Sequence, residues 1–138
     1  MRIAFGTDLV TPVTEHAKVQ IASLGHDVMV VGEGDPWPDI GRGVGDAVAA
    51  GRADLGVVCC WTGTGASIAA NKVNGVRAAL CTDAATASGA RRWNDANVLV
   101  MGLRLTSPEL AREMLDAWFS TDPDPSERAN VARLDPDR

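Results

Sequence analysis

The sequence predicts one α/β domain with a three-layer, Rossmann-like fold, in which a five-stranded parallel sheet carries helices on both faces. Two observations support this prediction. Five short apolar runs recur along the 138 residues, and segments with apolar residues at helical spacing lie between them. Because the connections are short and each strand is followed by a helix, the alternation favours parallel pairing with helices covering the sheet.

The five apolar runs are the expected strands. Each run ends near Gly, Asp, Thr or Cys, and its nearly continuous apolar character is typical of a parallel strand buried on both faces. The runs are residues 2–6, 27–31, 53–60, 76–80 and 97–102.

Helices are expected after each strand. The spacing of Ile40 and Val44 is an example of the helical period. Gly25 and Gly51 are typical helix stops, and Ser107, followed by proline and glutamate, is a typical start of the last long helix.

The composition fits a single domain over residues 1–138. Hydrophobic residues make up 46% of the chain, enough for a core at this length. From residue 120 onward the sequence becomes rich in Asp, Pro and Arg. Residues 120–138 are therefore predicted to form a C-terminal tail that docks on a neighbouring subunit, with fraying as the alternative.

Charge and cysteine content exclude several classes of function. A net charge of −5 argues against nucleic acid or an anionic membrane as the main partner. The sequence has no membrane-spanning apolar run and no signal-peptide pattern, which favours a cytoplasmic protein. Its three cysteines lack C-x-x-C spacing, so neither a disulfide framework nor a metal site is expected.

Residues that carry chemistry follow several of the predicted strands. Asp8 follows the first strand, Cys60 ends the third strand before a glycine-rich loop, and Arg104 follows the fifth strand. Ligands of such sheets bind outside the carboxyl ends of the strands. We therefore expect an aspartate, a cysteine, a glycine loop and an arginine at one edge.

The stretch "TGTGASIA" is predicted to hold an anion. Gly63 and Gly65 have no Cβ atoms to block close approach, so backbone N–H groups can point at a phosphate or oxyanion. The helix that follows adds roughly half a positive charge. The alternative is a tight strand-to-helix turn without a ligand. The P-loop and dinucleotide motifs do not fit, since G-K-[ST] and the third glycine are missing.

Cys60 is the candidate base or nucleophile. Its thiolate would be favoured by the helix terminus and the loop amides. The alternative is a small buried apolar residue. Cys59 is expected to point to the opposite face of the strand, and both Cys59 and Cys81 are interpreted as buried packing residues.

The segments "IAFGTD", "CWTGTGASIAANK", "GVRAAL" and "RRWNDANVLVMGLR" resemble the ribose-5-phosphate isomerase B family, which also includes galactose-6-phosphate isomerase subunits. The similarity runs from residue 2 to about residue 119. It implies a cofactor-free isomerase that interconverts aldose and ketose phosphates through an enediol. It also implies a homodimer or tetramer with its sites at the subunit interface.

The resemblance assigns a role to each matching residue. Cys60 is the implied base that moves a proton between C1 and C2, and Asp8 and Asn94 are implied to contact the substrate's hydroxyls and the region of its carbonyl. The enediolate oxygens are expected to be held by Thr62, Gly63, Thr64 and Gly65. The phosphate is expected to be held by Arg104, Arg133 and Arg128; the spacing of the last two departs from the family's, and Arg133 is the better match.

Four departures from the family pattern place indoles or an apolar side chain at expected site positions. Trp93 and Leu9 stand where the family usually has histidines, Trp61 where it has a glycine, and Trp37 where it has a tyrosine. The family histidine at the position of Trp93 is thought to open the furanose ring, and an indole cannot shuttle a proton at ordinary pH. Trp37, Trp61 and Trp93 are expected on loops at the ligand-binding end, whereas Trp118 is expected in the core.

Two functions are compatible with the sequence. The first is an isomerase of a sugar phosphate that is open-chain or narrower than ribose, so that no ring-opening acid is needed. The second is a subunit without independent turnover, either a heteromeric partner or a sugar-phosphate binding protein. The presence of Cys60, Thr62, Asn94 and Arg104 together favours the enzyme.

Overall fold

The computed structural model describes residues 1–135, in which strands and helices alternate as the sequence predicts. The strands are β1 (Arg2–Thr7), β2 (Asp27–Glu33), β3 (Leu55–Cys60), β4 (Ala78–Leu80) and β5 (Val98–Gly102). The helices are α1 (Pro12–Ser23), α2 (Trp37–Ala49), α3 (Thr64–Asn71), α4 (Ala84–Asn94), α5 (Pro108–Phe119) and the single turn α6 (Arg128–Val131).

All strand pairs of the sheet are parallel, and the strand order is β2-β1-β3-β5-β4. The predicted fold class is therefore confirmed. After β2 the chain crosses β1 to form β3, so the connections that leave β1 and β3 diverge to opposite faces. A crevice opens at their carboxyl ends, as it does at the switch point of other open parallel sheets.

Two apolar clusters lie between the sheet and its helices, one on each face of the sheet. One face of the sheet is covered by α1, α4 and α5, and the other by α2 and α3. Trp118 of α5 is fully buried in the first cluster, as the sequence predicts. Cys59 belongs to the first cluster and Cys60 to the second, which confirms that the two thiols lie on opposite faces of β3.

The expectation that the strands are mostly buried on both faces holds for β1, β3 and β5 but not for the two outer strands. Val30 in β2 is 48% exposed and Leu80 in β4 is 38% exposed, whereas β1, β3 and β5 are almost entirely buried. The reason is their position, because each outer strand has only one neighbouring strand in the chain. β4 is also shorter than predicted and covers three residues.

Glycines on α2 allow α3 to approach very closely. A Cβ placed on Gly41 would lie 2.6 Å from the carbonyl oxygen of Ala66 and 2.9 Å from the Cβ of Ala69. One turn later, a Cβ on Gly45 would lie 3.3 Å from the carbonyl oxygen of Ala70. The backbones of the two helices therefore pack against each other, which fixes the position of α3 and of the loop before it.

The C-terminal tail packs against α4 of its own chain. The Asp124 N–H donates to the Arg92 carbonyl at 2.8 Å, and the hydroxyls of Thr121 and Ser88 are 3.0 Å apart. Asp124 also caps the 3₁₀ turn Pro125–Glu127, which precedes α6. Docking of the tail on a neighbouring subunit stays a prediction, and residues 136–138 of that tail lie outside the described residues.

We expect Gly41→Ala to destabilise the fold more than Gly43→Ala. Both substitutions give α2 the same gain in helix propensity, about 1 kcal/mol. Only the Cβ on Gly41 meets a backbone atom, since a Cβ on Gly43 meets a side-chain methyl of the partly exposed Val31. The free energy of unfolding from urea denaturation should be lower for Gly41→Ala by about 1–3 kcal/mol. Equal stability of the two variants would contradict this account of the α2–α3 contact.

Candidate active site

A cavity of about 310 Å³ lies at the carboxyl ends of β1 and β3. This is the crevice that the strand order creates. Four elements surround it, because the ends of β1 and β3 and the first turns of α2 and α3 contribute its lining. The lining residues are Asp8, Trp37, Cys60, Trp61, Thr62, Thr64 and Gly65.

Two glycines allow the loop after β3 to pack directly against the end of β5. Gly63 has φ +80°, a left-handed conformation that glycine adopts without strain, and a Cβ there would meet the Leu80 side chain and lie 3.1 Å from the Gly102 nitrogen. A Cβ on Gly102 would in turn lie 2.5 Å from the Thr62 carbonyl oxygen. Glycine is therefore required on both sides of this contact.

Hydrogen bonds continue from β3 into the same loop. The Leu103 N–H donates to the Cys60 carbonyl at 2.9 Å, and the Arg104 N–H donates to the Trp61 carbonyl at 2.8 Å. The backbone that carries Cys60 and Trp61 is thus paired with the residues that follow β5. This pairing holds both side chains in place at the mouth of the cavity.

The first turn of α3 presents unpaired hydrogen-bond donors. Gly63 is the N-cap, and the backbone N–H groups of Thr64, Gly65 and Ala66 have no acceptor within residues 1–135. The hydroxyls of Thr62 and Thr64 are 2.7 Å apart and exposed. The loop therefore combines backbone and hydroxyl donors with the positive end of a helix, which suits a phosphate or an oxyanion.

The three cysteines differ in their access to this cavity. The Cys60 side chain lines it and retains 4% exposure. Cys59 is fully buried, and burial, with smaller contributions from Cys60 and Asp8, raises the pKa of its thiol to about 12. Burial also raises the pKa of Cys81 to about 11. Near neutral pH Cys59 and Cys81 remain thiols, so they are packing residues, as the sequence indicates.

Asp8 lines the same cavity as Cys60. Thr7 pairs with Cys59 in the β1–β3 register, so Asp8 and Cys60 each lie one residue beyond this pair. One carboxylate oxygen, Oδ1, is buried without a hydrogen-bond partner among the described residues. Burial raises the pKa of Asp8, against the opposing effect of the backbone N–H groups of Asp8 and Leu9.

Two indoles form the remaining wall. Trp61 is 52% exposed and stands directly after Cys60. The Trp37 ring covers Gly65, where a Cβ would lie 2.8 Å from the ring. Trp37 is the first residue of α2 and not a loop residue as predicted. Trp37 is expected at the ligand-binding end, but no role in substrate binding is predicted for it; its position just after β2 is the available signal.

Trp93 and Asn94 do not lie in this cavity. They belong to the last turn of α4. This helix begins beside the carboxyl end of β4 and runs back toward the end of the sheet at which the strands begin. The expectation that Trp93 lies on a loop at the ligand-binding end is therefore wrong. Its ring packs over Gly89, and both residues line a groove beside β4. The helix extends through Asn94, and Asp95, which has φ +46°, is its C-cap.

The three candidate phosphate-binding arginines are also separated. Arg104 is exposed and follows β5, at the same edge as the cavity but not among its lining residues. Arg128 lines a larger cavity of about 500 Å³ between α4 and the tail, together with Arg77, Arg92 and several carboxylates. Arg133 is exposed in the 3₁₀ turn Ala132–Leu134.

A thiol, a carboxyl group and unpaired backbone N–H groups thus meet at the switch point of the sheet. The family model described as Ribose/Galactose Isomerase matches residues 3–135. The chain belongs to this family. The resemblance found in the sequence is thus confirmed, and with it the expectation of a sugar-phosphate isomerase family.

Curated members of the ribose/galactose isomerase family are similar over much of the chain. Ribose-5-phosphate isomerase B of Escherichia coli is 40% identical, over 86% of this chain and 83% of that protein. D-erythrulose-4-phosphate isomerase of Pectobacterium atrosepticum is 42% identical over 66% of this chain, and the match spans 60% of that protein.

Solved structures of the family share the whole fold. Ribose-5-phosphate isomerase B of Clostridium thermocellum superposes with a TM-score of 0.93 at 33% identity and covers 99% of this chain and 96% of that chain. The corresponding enzyme of Trypanosoma brucei gives a TM-score of 0.92, also at 33% identity, over 99% and 98% of the two chains. Across residues 1–135, no helix has the length and apolar character needed to cross a membrane.

Proposed function

We propose that the protein is an aldose–ketose isomerase that acts on a short, open-chain sugar phosphate through an enediol. The observation that carries this proposal is the shared cavity of Cys60 and the unpaired N–H groups of α3. A base beside a carbon-bound hydrogen and donors beside the carbonyl oxygen are what enediolate formation requires.

Cys60 is the proposed base. Among the residues lining the cavity, its thiol is the group on β3 that a substrate carbon can reach, and the N–H groups of Thr64 and Gly65 stabilise the negative charge that develops on the substrate oxygen. Half-exposed Trp61 removes water from one side of this site, which strengthens these hydrogen bonds. Thr62 is the proposed hydroxyl donor to the same oxygens.

The proposed substrate class is a four-carbon ketose phosphate such as erythrulose 4-phosphate. The rings of Trp37 and Trp61 take up two sides of the cavity, which favours a slender open-chain substrate over a furanose ring. In a four-carbon sugar the terminal oxygen carries the phosphate, so no five-membered ring can form and no ring-opening acid is needed. The name of the Pectobacterium relative, an isomerase of this compound at 42% identity, supports the same class.

We further propose a homodimer, or a pair of dimers, in which a second copy completes the site. The residues expected to bind substrate occupy two separated regions of one chain, the Cys60 cavity and the last turn of α4. An exposed apolar surface beside edge strand β4 supports the association, since Ile68 is 60% and Trp93 56% exposed. A second copy would bring Trp93 and Asn94 to the cavity.

The phosphate is proposed to bind Arg104 at the cavity edge and Arg133 and Arg128 of the second copy. Arg104 is placed beside Trp61 by its own backbone hydrogen bond. The exposed guanidinium groups suit a bidentate phosphate contact.

Cys60→Ala should abolish isomerisation, whereas Cys59→Ala should reduce it only slightly. Loss of a positioned base costs about 100-fold to 10,000-fold in rate. Cys59 is the matched control, because it is the adjacent thiol on the other face of β3. The rate is measured with erythrulose 4-phosphate in deuterated water, where NMR follows both product and deuterium entry. Equal losses from both substitutions would assign Cys60 to packing, and an inactive wild-type protein would favour the binding-subunit alternative.

Trp61→Gly should raise kcat/KM for ribose 5-phosphate relative to erythrulose 4-phosphate by about tenfold or more, because a wider pocket admits the larger substrate. Adding Trp93→His should raise it further, since a histidine can open the ring. Trp61→Phe is the control and should keep the preference of the wild-type protein. Efficient turnover of ribose 5-phosphate by the wild-type protein would contradict the proposed exclusion.

Inactive subunits should complement each other if the site is shared. Refolding a mixture of Cys60→Ala and Asn94→Ala chains gives hybrid dimers with one intact site, so about a quarter of wild-type activity should return for a twofold-symmetric dimer. Cys60→Ala mixed with the Cys60→Ala/Asn94→Ala double variant is the control and should stay inactive. Light scattering should give a mass of two or four chains; a monomer would refute the shared site.

A further inference from the structure

An enediol mechanism moves two hydrogens, and the base at Cys60 accounts for only one of them. From ketose to aldose, the carbon-bound hydrogen leaves C1 and returns at C2. The oxygen-bound hydrogen must leave O1 and appear on O2. The second transfer needs a group that both accepts and donates a proton and that lies within reach of two neighbouring substrate oxygens.

The lining of the cavity offers few groups for that transfer. Of its seven described residues, Asp8 and Cys60 carry the titratable side chains. The indole N–H groups of Trp37 and Trp61 can donate a hydrogen bond but cannot accept a proton. The hydroxyls of Thr62 and Thr64 lie 2.7 Å from each other, which leaves them suited to stabilise the enediolate oxygens.

Asp8 is held rigidly at the cavity wall by the turn that carries it. The hydroxyl of buried Thr7 donates to the Leu9 carbonyl at 2.7 Å and accepts from the Leu9 N–H at 3.3 Å. These bonds fix the backbone on both sides of Asp8. Asp8 lines the cavity, and its buried Oδ1 atom has no hydrogen-bond partner in residues 1–135, so the carboxyl group keeps unused hydrogen-bonding capacity at this wall.

The position of Asp8 relative to Cys60 suits the two transfers. Asp8 directly follows β1 and Cys60 ends β3, each one residue beyond the Thr7–Cys59 register pair, and neighbouring strands lie about 5 Å apart. A substrate whose C1–C2 bond lies between the strands can present its carbon to the thiol and its two oxygens to the carboxyl group. The raised pKa of Asp8, caused by burial, makes its protonated form easier to reach during turnover.

We propose that Asp8 is a second catalytic residue, which carries the proton between O1 and O2 while Cys60 carries the proton between C1 and C2. This inference rests on the proposed function. The Cys60 thiolate removes a proton from C1, the electron pair of that C–H bond forms the C1=C2 bond, and the C2=O2 electron pair moves onto O2. The Asp8 carboxylate then takes the proton from O1 and gives it to O2. As C1=O1 forms, the Cys60 thiol returns a proton to C2, and both side chains regain their starting forms.

The two steps can be separated with Asp8→Asn in deuterated water. Asparagine keeps the size of the side chain but cannot carry the proton. Exchange at C1 needs only Cys60, so recovered erythrulose 4-phosphate should still gain deuterium within about tenfold of the wild-type rate. Net isomerisation should fall by about 100-fold or more. The ratio of exchange to isomerisation, measured by NMR on the same sample, should therefore rise at least about tenfold, and Asp8→Glu should lower it again.

The opposite result would identify Asp8 as a binding residue only. In that case exchange and isomerisation would fall together in a folded Asp8→Asn protein, with a raised KM and an unchanged ratio. If Asp8→Asn does not fold, as judged by near-UV circular dichroism, the same ratio is measured for Asp8→Ser. Failure of the proposed function is distinguishable, because wild-type protein would then show neither exchange nor isomerisation.

Discussion

The close approach of the loop after β3 to the end of β5 is the contact on which the site depends. Gly63 and Gly102 meet there without side chains, and a Cβ on Gly102 would lie 2.5 Å from the Thr62 carbonyl oxygen. This approach allows the backbone at Cys60 and Trp61 to pair with the residues after β5. It also sets where α3 begins, and hence where its unpaired N–H groups lie.

The two-residue period of a strand decides which thiol can take part in chemistry. Cys59 and Cys60 are adjacent, yet one faces the α1, α4 and α5 layer and the other faces α2, α3 and the cavity. Burial raises the pKa of Cys59 to about 12, so this side chain remains a thiol at neutral pH. The same local sequence therefore supplies one core residue and one candidate base.

Much of the fold could be predicted because its signals are local. The central strands are apolar throughout, and helix ends such as Ser107 and Gly25 carry capping residues with their usual geometry. The exposure of β2 and β4 could not be predicted, because strand order is a tertiary property and both strands have apolar sequences.

The candidate site was only partly accessible to sequence reasoning for a similar reason. Asp8, Cys60 and the glycine loop were grouped correctly, since they follow strands that a parallel sheet must align. Trp93 was misplaced because α4 ends at a non-glycine residue in the left-handed conformation, Asp95, which Arg77 and Arg91 contact through ion pairs. One of these ion pairs joins Asp95 to Arg77, which is distant in sequence. The other joins Asp95 to Arg91, one helical turn earlier. The position of Trp37 after β2 indicates the correct end of the sheet, but its packing on Gly65 is a tertiary contact that the sequence does not show.

The frame of the cavity and its walls are built from different kinds of contact. The frame consists of close approaches at Gly41 and Gly102, where a Cβ would collide with a main-chain oxygen, and of Gly63, whose positive φ favours glycine. The walls consist of Trp37 and Trp61, whose rings are about half exposed and contribute little to either apolar cluster. Exchange of the wall residues should therefore cost little stability. Under the proposed function, the positions that decide the preferred ligand are thus separate from the positions that decide whether the chain folds.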